Sequence, residues 1–176
     1  MAVPIEIDVW QGEVAELEVD AIIVPANESL FMTGPLARSV KRTAGDAVEL
    51  EAVRQGPVEP GSAVVTGGGN LATPYLIHAV AVGHELRDDP ACLMAALGAA
   101  FDIAARLSLG RLAMTPIGLE RGVFDAETAA AHLAEVIEDR SHRGDALPTS
   151  LVIAVSGPEE AAAYRAATEA LRTASR

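Results

Sequence analysis

The residue types best suited to chemistry in this chain gather in two loops. The first reads Val24-Pro25-Ala26-Asn27-Glu28-Ser29-Leu30-Phe31-Met32-Thr33-Gly34-Pro35-Leu36-Ala37. It follows a short apolar run and leads into a helical pattern, so amides at the start of that helix can face an anion. Asn27 adds a side-chain donor and acceptor suited to hydroxyl groups. The second loop reads Pro116-Ile117-Gly118-Leu119-Glu120-Arg121-Gly122-Val123-Phe124 and again precedes a helical pattern. Two helix N-termini at the carboxyl ends of strands in one α/β sheet form a natural cleft for a phosphorylated ligand.

Other motifs carry less. Gly67, Gly69 and Ala72 satisfy the dinucleotide pattern G-x-G-x-x-A, but Thr73-Pro74 and a strand follow where that pattern needs a helix. A glycine-rich turn between strands is the better account. Lys41 is the sole lysine and lies inside a helical pattern, so there is no phosphate-loop Lys-Ser/Thr pair. His78 sits in the apolar run Tyr75-Leu76-Ile77-His78-Ala79-Val80 and reads as a buried structural histidine. His84, His132 and His142 lack metal-ligand spacing. Cys92, the single cysteine, excludes an intrachain disulfide and a cysteine zinc site, and has no evident histidine partner. No metal and no cofactor are expected.

The 176 residues fit one domain spanning 1–176. Half the residues are hydrophobic and only 3% aromatic, which excludes general disorder and calls for an aliphatic core. The net charge of -12 disfavours nucleic acid as a partner. Within residues 1–37 the acids Glu6, Asp8, Glu13, Glu16, Glu18, Asp20 and Glu28 have no Lys or Arg to offset them. A solvated face is the simplest reading, but this segment overlaps the first loop. With no basic-then-apolar leader and no long uncharged apolar run, neither a signal peptide nor a membrane partner is expected, and the location expected is cytoplasmic.

Six apolar runs read as strands: Pro4 to Trp10, Ala21 to Val24, Ser62 to Thr66, Tyr75 to Val82, Arg111 to Pro116 and Ser150 to Val155. Several are almost continuously apolar, so helices should cover both sheet faces. Apolar spacing predicts a helix over Leu36 to Val53. Asp89-Pro90 opens another, reaching about Leu107, and Asp125 caps a third from Ala126 to about Asp139. A fourth follows Ser156-Gly157-Pro158-Glu159-Glu160, with Ser156 as cap, and Arg140 to Thr149 reads as a polar loop. The fold class expected is α/β: a three-layer α/β/α sandwich with a mixed central sheet of about six strands.

In this order the pieces resemble the macro domain family. The resemblance runs from about Glu6 to Val155 and rests on Gly12-Glu13-Val14, Val19-Asp20-Ala21-Ile22-Ile23-Val24-Pro25-Ala26-Asn27, Thr33-Gly34-Pro35-Leu36-Ala37 and Arg42-Thr43-Ala44-Gly45. Pro60-Gly61-Ser62-Ala63-Val64-Val65-Thr66, Tyr75 to Val80 and Gly118 to Phe124 extend it. It implies a cleft for ADP-ribose or a related nucleotide, with ADP-ribosylated protein as a further partner. Some relatives only bind; others hydrolyse ADP-ribose esters on proteins, ADP-ribose 1″-phosphate or O-acetyl-ADP-ribose.

Carried onto this sequence, the resemblance puts Glu13 where the family usually has an Asp accepting the adenine amino group, with Val14 beside it. Asn27 matches the residue that contacts the distal ribose and is the one position given a catalytic, orienting role. Thr33-Gly34-Pro35-Leu36 replaces the usual Gly-Gly-Gly-Val, and Pro35 removes one N–H. Ala37 stands where some hydrolases carry an Asp, so a binder is better supported than an enzyme. Gly118, Glu120, Arg121, Gly122, Val123 and Phe124 form the second ligand loop, where Glu120 replaces a glycine. Two unit charges about 4 Å apart interact by about 4 kcal/mol at an effective dielectric of 20. An inward Glu120 therefore opposes a pyrophosphate; an outward one is screened. The leading expectation is an ADP-ribose binder, with hydrolysis left open. The alternatives are a degenerate interaction module, or a cleft for another small ligand that tolerates negative charge.

Overall fold

The computed structural model describes residues 5–82, 89–120, 122 and 124–174. Its strands are β1 (Glu6–Gln11), β2 (Ala21–Asn27), β3 (Ala63–Gly67), β4 (Tyr75–Val82), β5 (Arg111–Met114) and β6 (Ser150–Val155). They form one sheet in the order β1-β6-β5-β2-β4-β3, parallel except where β3 runs against β4. The helices are α1 (Pro35–Ala44), α2 (Asp46–Val53), α3 (Pro90–Arg106), α4 (Ala126–Arg143) and α5 (Pro158–Ala174), with a short 3-10 turn at Val14–Glu16. This is the mixed six-stranded α/β sandwich expected.

Successive strand residues face opposite sides, and β2 shows the result. Ala21 and Ile23 join the core under α3, α4 and α5, whereas Ile22 and Val24 pack beneath α1 and α2. The connection leaving β2 therefore rises to one face, and the one leaving adjacent β5 goes to the other. Their divergence opens a crevice at the carboxyl ends of the two strands, the usual ligand position in an open α/β sheet.

Some expectations need correction. The Leu36 to Val53 helix is two helices, because Gly45 adopts φ 93 and ψ 166 and breaks the spiral. The Arg140 to Thr149 loop begins later: α4 runs to Arg143 and ends on left-handed Gly144. Arg140 is buried, donating to Asp102, Gly98 O and Ala146 O, so it belongs to packing and not to a solvated loop. β5 stops at Met114, before Pro116, which has no N–H for a ladder. Ser156 does not cap α5 with its own hydroxyl; Glu160 reaches back to the Ser156 N–H and Oγ at 2.9 Å each.

Asp89 and Asp125 do cap α3 and α4, accepting from Ala91 N at 2.9 Å and Thr128 N at 2.7 Å. The glycine-rich turn links β3 to β4 and packs under the end of α1, where Asn70 N donates to Ala44 O. Asp20, one of the uncompensated acids, binds the Gly110 and Arg111 amides and so ties β2 to β5. No described helix is long and apolar enough to cross a membrane.

Candidate functional site

The crevice contains a cavity of about 510 Å³, within the roughly 300–1,000 Å³ usual for small-molecule sites. Four parts of the chain meet there: Gly12, Glu13 and Val14 after β1; Pro35, Leu36 and Ser39 of α1; Thr115, Pro116, Leu119 and Glu120 after β5; and Ala154 and Val155 at the end of β6 with Ser156 and Glu160 beyond it. A second cavity of about 40 Å³ lies beside it, lined by Pro25, Leu93, Ile117, Gly118 and Phe124 among others. Glu120 lines both.

The orientation of Glu120 is thereby decided: it points inward. Its Oε1 accepts a hydrogen bond from Leu36 N at 2.8 Å, in the first turn of α1. A Cβ placed on Gly34 would lie 2.7 Å from Glu120 Oε2, so the carboxylate rests directly on that backbone. Gly34, the N-cap of α1, supplies no side-chain cap of its own; Glu120 does that work from the opposite loop. Burial pushes the Glu120 carboxyl above its ordinary value, and the Leu36 amide pulls the other way.

The first loop is held from behind. Leu30 takes a left-handed φ of 63 and is compensated by burial with Ala52 and Val80. Met32 N donates to Glu49 Oε2 at 2.8 Å, and Lys41 Nζ anchors the other carboxylate oxygen at 2.7 Å. Asn27 follows a register shift at the end of β2, and such irregularities re-aim side chains. Its Oδ1 accepts from Ser29 N and Oγ, and its Nδ2 donates to Phe31 O at 3.2 Å. The Asn27 side chain thus shapes the loop and does not line the larger cavity.

The other expected residues divide clearly. Glu13, Val14, Leu36 and Glu120 line the larger cavity, while Gly118 and Phe124 line the smaller one. Glu13 is exposed at the rim and accepts from Ser39 Oγ at 3.0 Å. Phe124 packs edge-on against His132, with ring centroids 5.3 Å apart. Ala37 is 4% exposed and buried with Val40 and Ala44. Gly122 is exposed at φ 67. Arg121 and Val123, like His84, lie outside the described residues.

Sequence reasoning did not single out Thr115, Ser39, Ser156 or Glu160 as site residues. Thr115 is 4% exposed, lines the larger cavity, and its Oγ1 has no hydrogen-bond partner among the described residues. Its only sequence signal was a polar residue ending an apolar strand. His78 stays outside the site: it is 1% exposed and bonded through Nε2 to Thr66 Oγ1 at 2.9 Å, with burial lowering its pKa to about 4.

A family model for the Macro domain matches residues 23–133. The chain belongs to the macro domain family. An uncharacterized protein of Mycobacterium tuberculosis is 31% identical over 166 residues, which make up 94% of this chain and 45% of that one. The chain thus spans about half the length of its mycobacterial relatives. A macro domain-containing protein of Caldanaerobacter subterraneus is 32% identical over 142 residues, covering 76% of this chain and 80% of the relative. The Oceanobacillus iheyensis macrodomain, solved with ADP, superposes with a TM-score of 0.84 at 16% identity, covering 99% of this chain and 96% of that one. The last likeness establishes the fold.

Proposed function

We propose that this macro domain is a ligand-binding module whose crevice receives a nucleotide of the ADP-ribose class, free or attached to a protein. The observation that supports this most is the Glu120–Leu36 hydrogen bond: the first turn of α1 holds a carboxylate oxygen on an N–H that faces the crevice. A ligand phosphate would use that same amide, so Glu120 must give way as it arrives. The solved macrodomain with ADP is consistent with such a ligand.

Binding is favoured over hydrolysis. Ala37 is buried and offers no acid or base, and Asn27 spends its amide within its own loop. Of the carboxylates lining the larger cavity, Glu13 is tied to Ser39, Glu160 to Ser156 and Glu120 to Leu36. Calorimetric titration with ADP-ribose tests the binding, and incubation with an ADP-ribosylated protein tests for release. The expected results are saturable binding and no release of ADP-ribose. Release at enzymatic rates would overturn the binding-only reading.

A second reading draws on the same residue. If the carboxylate of Glu120 has permanently replaced the ligand's anion, the domain is an interaction module. Dissociation constants weaker than about 1 mM for both wild type and Glu120→Ala would favour it.

A further inference from the structure

We propose that Glu49 and Lys41 are positioning residues for the crevice: through a charged relay they fix the loop that enters α1, and so set how firmly the first turn of α1 holds a ligand's phosphate. This rests on the ligand-binding reading above and adds the residues that tune it.

Neither side chain lines the larger or the smaller cavity, so any effect on a ligand has to pass through the backbone. The contacts supply that route. Lys41 lies in α1 and Glu49 in α2, on either side of the break at Gly45. Lys41 Nζ donates to Glu49 Oε1 at 2.7 Å, and Glu49 Oε2 accepts from Met32 N at 2.8 Å. Met32 is the centre of a tight three-residue turn, in which Thr33 N donates to Phe31 O at 2.9 Å. Its side chain is buried with Val40 and Ala44 of α1. Two residues further on Gly34 is the N-cap of α1, and the Leu36 N–H beyond it holds Glu120 at the crevice. The ring therefore closes: α1 is tied to α2, α2 to the loop, and the loop runs back into α1.

The relay is more than a surface ion pair. The Lys41 and Glu49 side chains are only 24% and 17% exposed, so solvent screens them less than it screens a fully exposed pair. The Glu49 carboxylate answers an ammonium with one oxygen and a backbone amide with the other, and hydrogen bonds to an ionised group are the strong ones. Lys41 is the sole lysine of the chain, and its second partner, Asp46 Oδ1 at 3.4 Å, is exposed. Removing Glu49 leaves the Met32 N–H without its acceptor; removing Lys41 leaves a largely buried carboxylate without its cation. Glu51 offers a comparison on the same helix. It accepts from Gly67 N on β3, at the far edge of the sheet, and has no part in the ring.

Titration calorimetry with ADP-ribose tests this on wild type, Glu49→Ala, Lys41→Met, Lys41→Arg, the Lys41→Met/Glu49→Ala double variant and Glu51→Ala, with circular dichroism confirming that each is folded. Glu49→Ala should weaken ADP-ribose by about tenfold. Lys41→Met should weaken it by about threefold, whereas Lys41→Arg keeps the charge and should stay within about twofold of wild type. The double variant should match Glu49→Ala alone, because Lys41 acts through Glu49. Glu51→Ala should stay within about twofold of wild type, which a merely structural loss at α2 would not allow. An affinity unchanged by Glu49→Ala, or lowered as much by Glu51→Ala, would overturn the inference while leaving the ligand class standing. Additive losses in the double variant, or a Lys41→Arg loss as large as that of Lys41→Met, would do the same. Wild type that binds no ADP-ribose would overturn both readings.

Discussion

Glu120 and Leu36, far apart in sequence, are joined by a 2.8 Å hydrogen bond from the Leu36 amide to a Glu120 carboxylate oxygen. This contact joins the two loops that diverge from β2 and β5, and it places an internal anion where the helix dipole of α1 is most favourable. It is at once a structural cap and an obstacle to an incoming phosphate. Several consequences can be measured.

The cap should show in stability and in its pH dependence. Glu120→Gln isolates the charge, and the folded-state pKa of Glu120 is raised mainly by burial. A raised carboxyl pKa means the folded chain binds the proton more tightly than the unfolded chain. The contribution is thus most favourable below the ordinary glutamate value and is lost as pH rises through the folded value. Urea unfolding of both proteins from about pH 4 to 7 should show wild type losing stability relative to Glu120→Gln as pH rises. The opposite slope would mean the amide bond outweighs burial.

His78 should have the reverse sign. Its pKa is lowered from 6.5 to about 4 by burial, so it stays neutral while folded and gains a proton readily when unfolded. Its contribution is present above about pH 6.5 and is lost as pH falls toward 4, up to about 3 kcal/mol in all. Imidazole chemical shifts followed by NMR should give a midpoint near 4 for this residue, whereas a midpoint near 6.5 would show that it is hydrated.

The turn between β3 and β4 should tolerate no side chain at Gly69. It has φ 60, and a Cβ there would meet the Ala44 carbonyl oxygen and Val48. Gly69→Ala should cost about 2 kcal/mol or more in urea unfolding. A cost under about 0.5 kcal/mol would mean that the α1 terminus and this turn are not packed together.

Thr115→Val should leave stability within about 0.5 kcal/mol of wild type or raise it, because the lost hydroxyl makes no described hydrogen bond. A loss of more than about 1.5 kcal/mol would assign Thr115 Oγ1 a structural partner instead.

Much of this architecture was legible before the structure. The continuous apolar run through Ala21 to Val24 indicated a strand covered on both faces, and its residues do alternate between two cores. The caps Asp89 and Asp125 marked helix starts because their chemistry is local. What escaped was set by tertiary geometry. Glu120 had two possible directions in sequence, and only the opposite loop's Leu36 amide fixes one of them. Asn27 belonged to the expected ligand set, yet the register shift at the end of β2 turns its amide into its own loop. Ser156 and Glu160 reach the cavity because β6 lies between β1 and β5, an order no local pattern encodes. Arg140 looked like a loop cation, but its guanidinium is buried and donates to Asp102 and to the carbonyls of Gly98 and Ala146.

The most direct measurement follows the Leu36 amide by 15N-resolved NMR as ADP-ribose is added. That resonance should already be displaced in Glu120→Ala, which removes its acceptor. In wild type it should shift saturably, with Gly34 beside it, as the ligand's phosphate takes the place of Glu120. A wild-type complex in which Leu36 and Gly34 keep their free-state shifts would contradict the account, because the ligand would then lie away from the amide that Glu120 guards.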